Sequence, residues 1–394
     1  MSIYFTFALT LFMITSVQAG RVMVTLYALE LGAQPVTVGV LAAIFSVLPM
    51  LLSWQIGRFS DRFGARWLLL IGSAGGAFGM LVPYLFPTMP SLYMAACMNG
   101  LLFAFSGPPL QNLVGLQSSL QDHSKTFSNY SLLISCTSFL GPLMAGFSFD
   151  HAGAGLACLG LALLLLVPLM MIALWGGILP SGTRSTPTAG GLRAMLSESG
   201  LWRVLAVSSL LITGIDLFQI YMPIYGHSVG LSASAIGVVL AMFSVASFVV
   251  RTFLPRLIAL LTVERVLAYS FLIGAVAFTL VPFLKNALSL ALAAFLFGLG
   301  MGCGQPITMM LTFSCSAKGR SGEGMGLRTT VNHFTRVIAP VIFGSMGSAF
   351  GMLPVFWANA LILASGSAFA SPARFGRAGE GRKGDVAEAS DRDR

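Results

Sequence analysis

Charge is what this chain lacks. Only 9% of its 394 residues are Asp, Glu, Lys or Arg, while 56% are hydrophobic, and a soluble globular chain carries about 25% charged residues. That deficit excludes a water-soluble domain and makes the bilayer the solvent. Histidine is scarce as well. The four present (His123, His151, His227, His333) stand in no ligand spacing, so a membrane enzyme built on metal or phosphate chemistry, such as a lipid-modifying transferase, lacks its raw material. The five cysteines (Cys97, Cys136, Cys158, Cys303, Cys315) are scattered through apolar stretches and read as small core residues. No G-x-x-x-x-G-K-[ST] loop occurs, so ATP is not the direct energy source, and no cofactor or metal is expected.

What is present is a set of apolar runs of roughly 20 residues, each long enough to cross a ~30 Å hydrocarbon core. They predict twelve helices, near 3–30, 36–56, 67–86, 91–117, 127–149, 154–179, 201–225, 233–254, 265–284, 287–314, 324–349 and 351–370. The chain also repeats itself at a constant offset of 198 residues: Gly32 to Val47 matches Gly230 to Val245 without a gap, Pro108 falls on Pro306, and Gly141-Pro142 falls on Ala339-Pro340. Long internal repeats in an apolar chain place two bundles around a central site. The predicted fold is therefore all-α and integral to the membrane, with two pseudo-symmetric six-helix bundles at 1–180 and 200–370. Between them, 181–199 is rich in Gly, Ser, Thr and Pro and reads as a flexible cytoplasmic linker. The segment 371–394 holds 11 charged side chains and reads as a disordered cytoplasmic tail.

A net charge of +9 would suit nucleic acid, but its distribution follows the positive-inside rule instead. With both termini cytoplasmic, 19 of the 22 Lys and Arg residues, Arg251 and Arg328 among them, lie in or beside cytoplasmic segments; Lys285 falls outside, and Arg21 and Arg336 lie within helices. The first 20 residues are not read as a signal peptide: they have no basic n-region, and the apolar helix continues past Gly20.

Between the second and third helices stands Gly57-Arg58-Phe59-Ser60-Asp61-Arg62-Phe63-Gly64-Ala65-Arg66. Gly57 and Gly64 permit tight turns, Asp61 can sit against helix N-terminal amides, and Arg62 and Arg66 hold the loop at an anionic membrane face. This stretch resembles the signature loop of the major facilitator superfamily, G-x-x-x-D-R-x-G-x-R, at Gly57, Asp61, Arg62, Gly64 and Arg66. The resemblance implies a secondary transporter of the exporter branch, working as a monomer on a small molecule. One offset later Arg256 is kept but Ala259 replaces Asp61.

A second stretch, Thr137 to Gly146, is similar to that family's antiporter motif G-x-x-x-G-P-x-x-G-G at Gly141, Pro142 and Gly146, with Thr137 and Ala145 in place of two glycines. In the family this helix is associated with export; otherwise it is a Pro-bent packing helix. The fourth-helix pattern R-x-x-q-G is absent, since Ala96 stands where its arginine would, and this departs from the drug-proton antiport subgroup.

Charged side chains in hydrocarbon cost several kcal/mol unless they face a cavity or a partner. Arg21, Asp216 and Arg336 are each roughly 10 residues from a helix end, near mid-depth at ~1.5 Å per residue. Thr15, Gln18 and Arg21 share a helix face, and one offset later stand Thr213, Asp216 and Gln219. The eleventh helix adds Asn332, His333 and Arg336; Gln111, Asn112, Gln305 and Thr308 are weaker candidates. Asp216 is either a proton carrier or one half of a permanent ion pair with Arg21 or Arg336. Two cations against one carboxylate favour an anionic substrate, unless one arginine bonds helix carbonyls instead. His333 reads as a packing residue before a proton relay. Tyr27, Tyr221, Tyr225, Trp54, Trp67, Trp202 and Trp357 lie near helix ends and read as interfacial belts.

These features predict proton-coupled efflux of a small organic compound, anionic or amphipathic, across a bacterial inner membrane. Uptake or facilitated diffusion of a metabolite is the alternative within the class. A membrane-bound sensor would have no need of matched polar stripes.

Overall fold

The computed structural model describes residues 2–33, 35–119, 122–180, 200–231, 233–316 and 319–370. The expected linker and tail, with Arg184, Arg193 and Lys318, lie outside the described residues. Among those described, every long regular element is a helix: α1 Ser2–Glu30, α2 Pro35–Phe63, α3 Ala65–Leu85, α4 Met89–Leu116, α5 His123–Trp175, α6 Leu201–Ser228, α7 Ala233–Leu260, α8 Val263–Leu280, α9 Ala287–Gly302, α10 Gly304–Cys315, α11 Ser321–Phe350 and α12 Met352–Phe369. Nine stretches among them are long and apolar enough to cross a membrane. One is α5, whose 53 residues would extend ~80 Å if straight, more than two bilayer cores. Gly153 breaks it with φ 78°, a conformation that costs L side chains dearly. α9 and α10 together make one such stretch. With α2 and α11, the order agrees with twelve spans.

Three boundaries differ from expectation. The second helix does not stop at 56 but runs through Phe63, so most of the signature loop is helical. The fifth and sixth expected helices meet at Gly153 with no intervening coil. The tenth is interrupted at Cys303, and the cause is local: Pro306 has no N–H to donate to the Gly302 carbonyl. That carbonyl instead accepts from Arg251 Nε at 2.9 Å. Arg251, expected beside a cytoplasmic segment, lies within α7 and serves the helix break.

The duplication is visible in the backbone. Gly153 and Gly351, one repeat offset apart, have φ 78° and 81°, and Gly32 and Gly230 have φ 78° and 84°. Each pair turns the chain at the same place in its half.

The compact units depart from the expected halves in one respect. One unit holds α1 to α5 together with Thr312–Val337, so the first half of α11 groups with it; the other holds 200–311 and 338–370. In the first unit α1 packs along α5 and α4, α3 along α4 and α5, and α2 along α4. Its core is rich in small and flexible residues, with Ala19, Met23, Phe45, Met80, Ala95 and Ala96 in one cluster. The second unit packs α7 on α9 and α8 on α12 around Phe218, Phe243, Phe278, Phe297 and Phe356. Phe297 stacks on Phe218 at 4.9 Å between centroids and meets Phe278 edge-on at 5.0 Å, arrangements that add to their area burial.

Gly298 lets α7 and α9 touch backbone to backbone: a Cβ there would collide with the Phe243 carbonyl oxygen and lie 2.8 Å from Ala246 Cβ. Gly298→Val should lower the apparent Tm of the purified protein, by about 1–3 kcal/mol in overpacking cost. Gly160→Val, whose site is open, should leave it unchanged in the same thermal scan. Equal Tm values would remove the close crossing as the reason for glycine at 298.

Candidate functional site

A polar cluster of the first unit lies where α2 crosses the start of α11. The crossing is built on small residues. A Cβ on Gly57 would strike the Gly322 carbonyl, and one on Gly326 would strike the Ser53 carbonyl, so Ser53-x-x-x-Gly57 and Gly322-x-x-x-Gly326 face each other at backbone distance. Gly57 therefore serves close approach within a helix, and only Gly64, at φ 81°, makes the turn expected of both.

That closeness brings Asp61 onto the α11 N-terminus. Its Oδ1 accepts from the Gly322 amide at 2.8 Å and its Oδ2 from the Glu323 amide at 2.7 Å. Asn112 Nδ2 of α4 donates to Oδ1 at 3.2 Å. Unsatisfied amides and the helix dipole make this end a site for negative charge. Asp61 lies past the apolar stretch of α2, and burial pushes its carboxyl up to about 7, with the neighbouring Glu323 carboxylate adding to the rise while the two amides and Asn112 pull it down.

Around this contact, Glu323 is 4% exposed. It accepts from Trp54 Nε1 at 3.1 Å and pairs with Arg320 at 2.8 Å. The Trp54 amide meets Thr330 Oγ1 at 3.2 Å. Trp54, expected in an interfacial belt, thus ties α2 to α11. Arg328 is 2% exposed inside α11, and its Nη1 donates to Gln111 Oε1 of α4 at 3.2 Å. Of the other signature residues, Arg62 lies exposed over the Phe63 ring, 5.0 Å from its centroid, and Arg66 Nη2 donates to the Ala173 carbonyl at 3.3 Å.

The polar stripe of α1 is in the same unit. Gln18 Nε2 donates to Ser138 Oγ of α5 at 3.0 Å. Arg21 is half-buried with its guanidinium 5.7 Å from the Phe45 centroid. Gly141 of the antiporter-like stretch presses on this stripe: its Cβ position lies 2.6 Å from Gln18 Cβ and 3.0 Å from the Thr15 carbonyl. Pro142 is exposed and Gly146 faces open space. On α11, Asn332 and His333 are buried and Arg336 is exposed, and His333 packs edge-on against Phe103 of α4 at 5.3 Å. In the other unit, Thr213 is buried and bonded to the Ser209 carbonyl, Asp216 is half-buried and Gln219 exposed. Thr308 is bonded to its own helix at the Gly304 carbonyl, and Gln305 is half-buried. No cluster of His, Cys, Asp or Glu that could hold a metal occurs among the described residues.

A family model described as Major Facilitator Superfamily matches residues 2–259 and 217–389. This chain belongs to that superfamily. It is an integral membrane transporter. Among curated proteins, it is 20% identical over 316 residues to the tetracycline resistance protein, class B, of Escherichia coli, covering 77% of each chain. It is 25% identical over 112 residues to the class D protein of Salmonella ordonez, and 28% identical over 111 residues to multidrug resistance protein 2 of Bacillus subtilis (strain 168), covering only 28% of either relative's length. Two solved structures share the facilitator fold. The human organic anion transporter MFSD10 (TETRAN) superposes with TM-score 0.79 at 16% identity, over 94% of this chain and 99% of that one. A bacterial homologue of the iron transporter ferroportin, in its outward-facing state, does so with TM-score 0.76 at 15% identity, over 96% and 100%.

Sequence reasoning missed Glu323, Arg328 and the bonding role of Trp54. The available signal was the pair of small-x-x-x-small patterns at 53/57 and 322/326, which marks a close crossing and hence what stands beside it.

The raised Asp61 value fixes a sign. In the contacted form the carboxyl keeps a proton up to about 7, whereas its unperturbed value is 3.8. The contact is therefore fully favoured below 3.8 and weakens as pH rises through about 7. Hydrogen exchange at Gly322 and Glu323, corrected for the intrinsic pH effect, should quicken above pH ~7. Asp61→Ala should speed it by roughly tenfold or more at every pH, from a loss of ~1.5–3 kcal/mol. Asp61→Asn, which mimics the protonated acid, should abolish the pH dependence; an unchanged pH profile in that variant would refute the assignment.

Proposed function

We propose that this transporter exports a small organic compound, anionic or amphipathic, in exchange for protons. It works by alternating access in a bacterial inner membrane with both termini cytoplasmic. The observation that carries the reading is the docking of Gly141 on the α1 stripe. The stretch that resembles the antiporter motif lies against Thr15 and Gln18, and Gln18 bonds to Ser138 within the same helix. Small residues at such a contact let α5 slide or tilt against α1 without a steric barrier, while Arg21 stands one turn further along the stripe.

Chemistry supplies the rest. Arg21 and Arg336 give one unit a cationic pair, and guanidinium groups favour carboxylate or phosphate. Asp216 is the acidic member of the other stripe and the group we assign to the proton: it accepts one from the outer face as substrate leaves and yields it inward as the next substrate binds. The names of the curated relatives, tetracycline and multidrug resistance proteins, support efflux. The likeness to an organic anion transporter supports the fold and agrees with an anionic cargo.

The test is a flux assay in everted vesicles with an inside-acid gradient, recording proton release by fluorescence as anionic and amphipathic compounds are added. Wild type should release protons with a subset of compounds, and Asp216→Asn should not. Arg21→Gln should raise the apparent KM for anionic members about tenfold, as the loss of one charge-assisted contact implies, while sparing neutral ones. Gradient collapse that persists in Asp216→Asn would assign Asp216 to a structural ion pair. Absence of any response would move the reading to uptake or facilitated diffusion.

A further inference from the structure

A polar cavity of about 290 Å³ opens in the first unit where three span ends meet: the start of α1, the α4–α5 connection and the first turns of α5. The candidate spans there end at Leu116 and begin at Ile3 and His123, so the cavity lies at the depth of lipid headgroups. Its α1 wall carries Tyr4 and Phe7, with Tyr4 76% exposed, the residue type of a membrane interface.

The remaining wall carries one acid, one base and an unused amide. Asp122 and Lys125 both line the cavity and are exposed. They stand three apart at the start of α5 and no ion pair joins them, whereas Arg320 and Glu323 pair at 2.8 Å. The contrast is informative, because Arg320 and Glu323 are the same two positions one repeat offset later. There the pair closes; here, with the signs exchanged, it does not. Asp122 spends one oxygen on Ser119 Oγ at 2.7 Å, which leaves the other without a protein partner among the described residues. Gln117 accepts from Thr6 Oγ1 at 2.8 Å, while its Nε2 is buried with no hydrogen-bond partner there. A buried amide donor without an acceptor is costly and marks a missing oxygen.

We propose that this cavity seats the headgroup of a phospholipid carrying a phosphate and a primary ammonium, the phosphate toward Lys125 and Gln117 and the ammonium on Asp122. A purely anionic headgroup would meet the Asp122 carboxylate, and a quaternary ammonium could not donate a hydrogen bond to it. Phe7 and Tyr4 supply apolar contact for the glycerol and upper acyl chain. The site is separate from the substrate stripes, so it stands or falls independently of the transport reading.

The test is native mass spectrometry of the detergent-purified full chain, titrated with phosphatidylethanolamine, phosphatidylcholine or phosphatidylglycerol of matched chains. Wild type should retain the ethanolamine lipid at least about tenfold more tightly than the other two. Lys125→Gln should reduce that retention to the choline level, and Asp122→Asn should let phosphatidylglycerol bind as well as phosphatidylethanolamine. Both side chains are exposed, and an unchanged Tm checks that the variants fold. Soluble phosphoethanolamine should compete only in large excess; competition at equal concentration would make a free metabolite the ligand and overturn the lipid assignment. Equal retention of the three lipids, or variants that behave as wild type, would overturn the site.

Discussion

The contact on which the first unit depends is a carboxylate held against the amides of a helix end. Asp61 reaches Gly322 and Glu323 only because Gly57 and Gly326 let α2 and α11 meet at their backbones. Taking a carboxylate out of water costs several kcal/mol, and each charge-assisted hydrogen bond returns about 1.5–3. Two amides and one Asn112 donor therefore offset only part of the burial, and a carboxyl raised to about 7 expresses the shortfall. Such a contact orders the α11 start without fixing it irreversibly, which is the property an element must have if it is to change partners during a transport cycle.

Duplication supplied the scaffold, and divergence within it supplied the chemistry. Gly153 and Gly351 still turn the chain at equivalent places. Phe45 and Phe243 are equivalent too, yet Phe243 joins an aromatic core with Phe218 and Phe297, whereas Phe45 lies under the Arg21 guanidinium. Three positions make the difference: Gln219 stands where the repeat would place an arginine, and Gly20 and Asn99 stand where it would place Phe218 and Phe297. Asp61 has Ala259 as its counterpart, so the anchoring carboxylate exists in one half only. The open Asp122–Lys125 pair and the closed Arg320–Glu323 pair are a further case.

The helices and their order were legible because spans are set by hydrophobic length, a property each segment carries by itself. Boundaries were less so. The α2 extension through Phe63 is polar and is held in helical form by α11, a partner 261 residues away in the Asp61–Gly322 bond. The break at Cys303 was written in Pro306, but its stabilising donor, Arg251, comes from α7, a bond that sequence spacing does not show. The burial of Arg328 was not legible: the positive-inside rule counts charges along the chain, and its partner Gln111 is visible only in three dimensions. Arg21, Asp216 and Arg336 lie within α1, α6 and α11, and their placement in helices was legible because apolar surroundings make each one conspicuous.

The grouping of Thr312–Val337 with the N-terminal unit has an energetic logic. Each unit is consolidated by apolar packing, the second by five phenylalanines whose dispersal would expose several hundred Å² and cost of order 10 kcal/mol at about 25 cal/mol per Å². The start of α11, by contrast, joins α2 and α4 through hydrogen bonds at Asp61, Trp54 and Gln111 and through glycine contacts that bury little area. Net hydrogen-bond contributions of about 1 kcal/mol each are recovered from water when such contacts part, while an aromatic core recovers nothing. Polar contacts at small-residue crossings are thus the ones that the proposed alternating access would exchange, and the apolar cores are the ones it would leave intact.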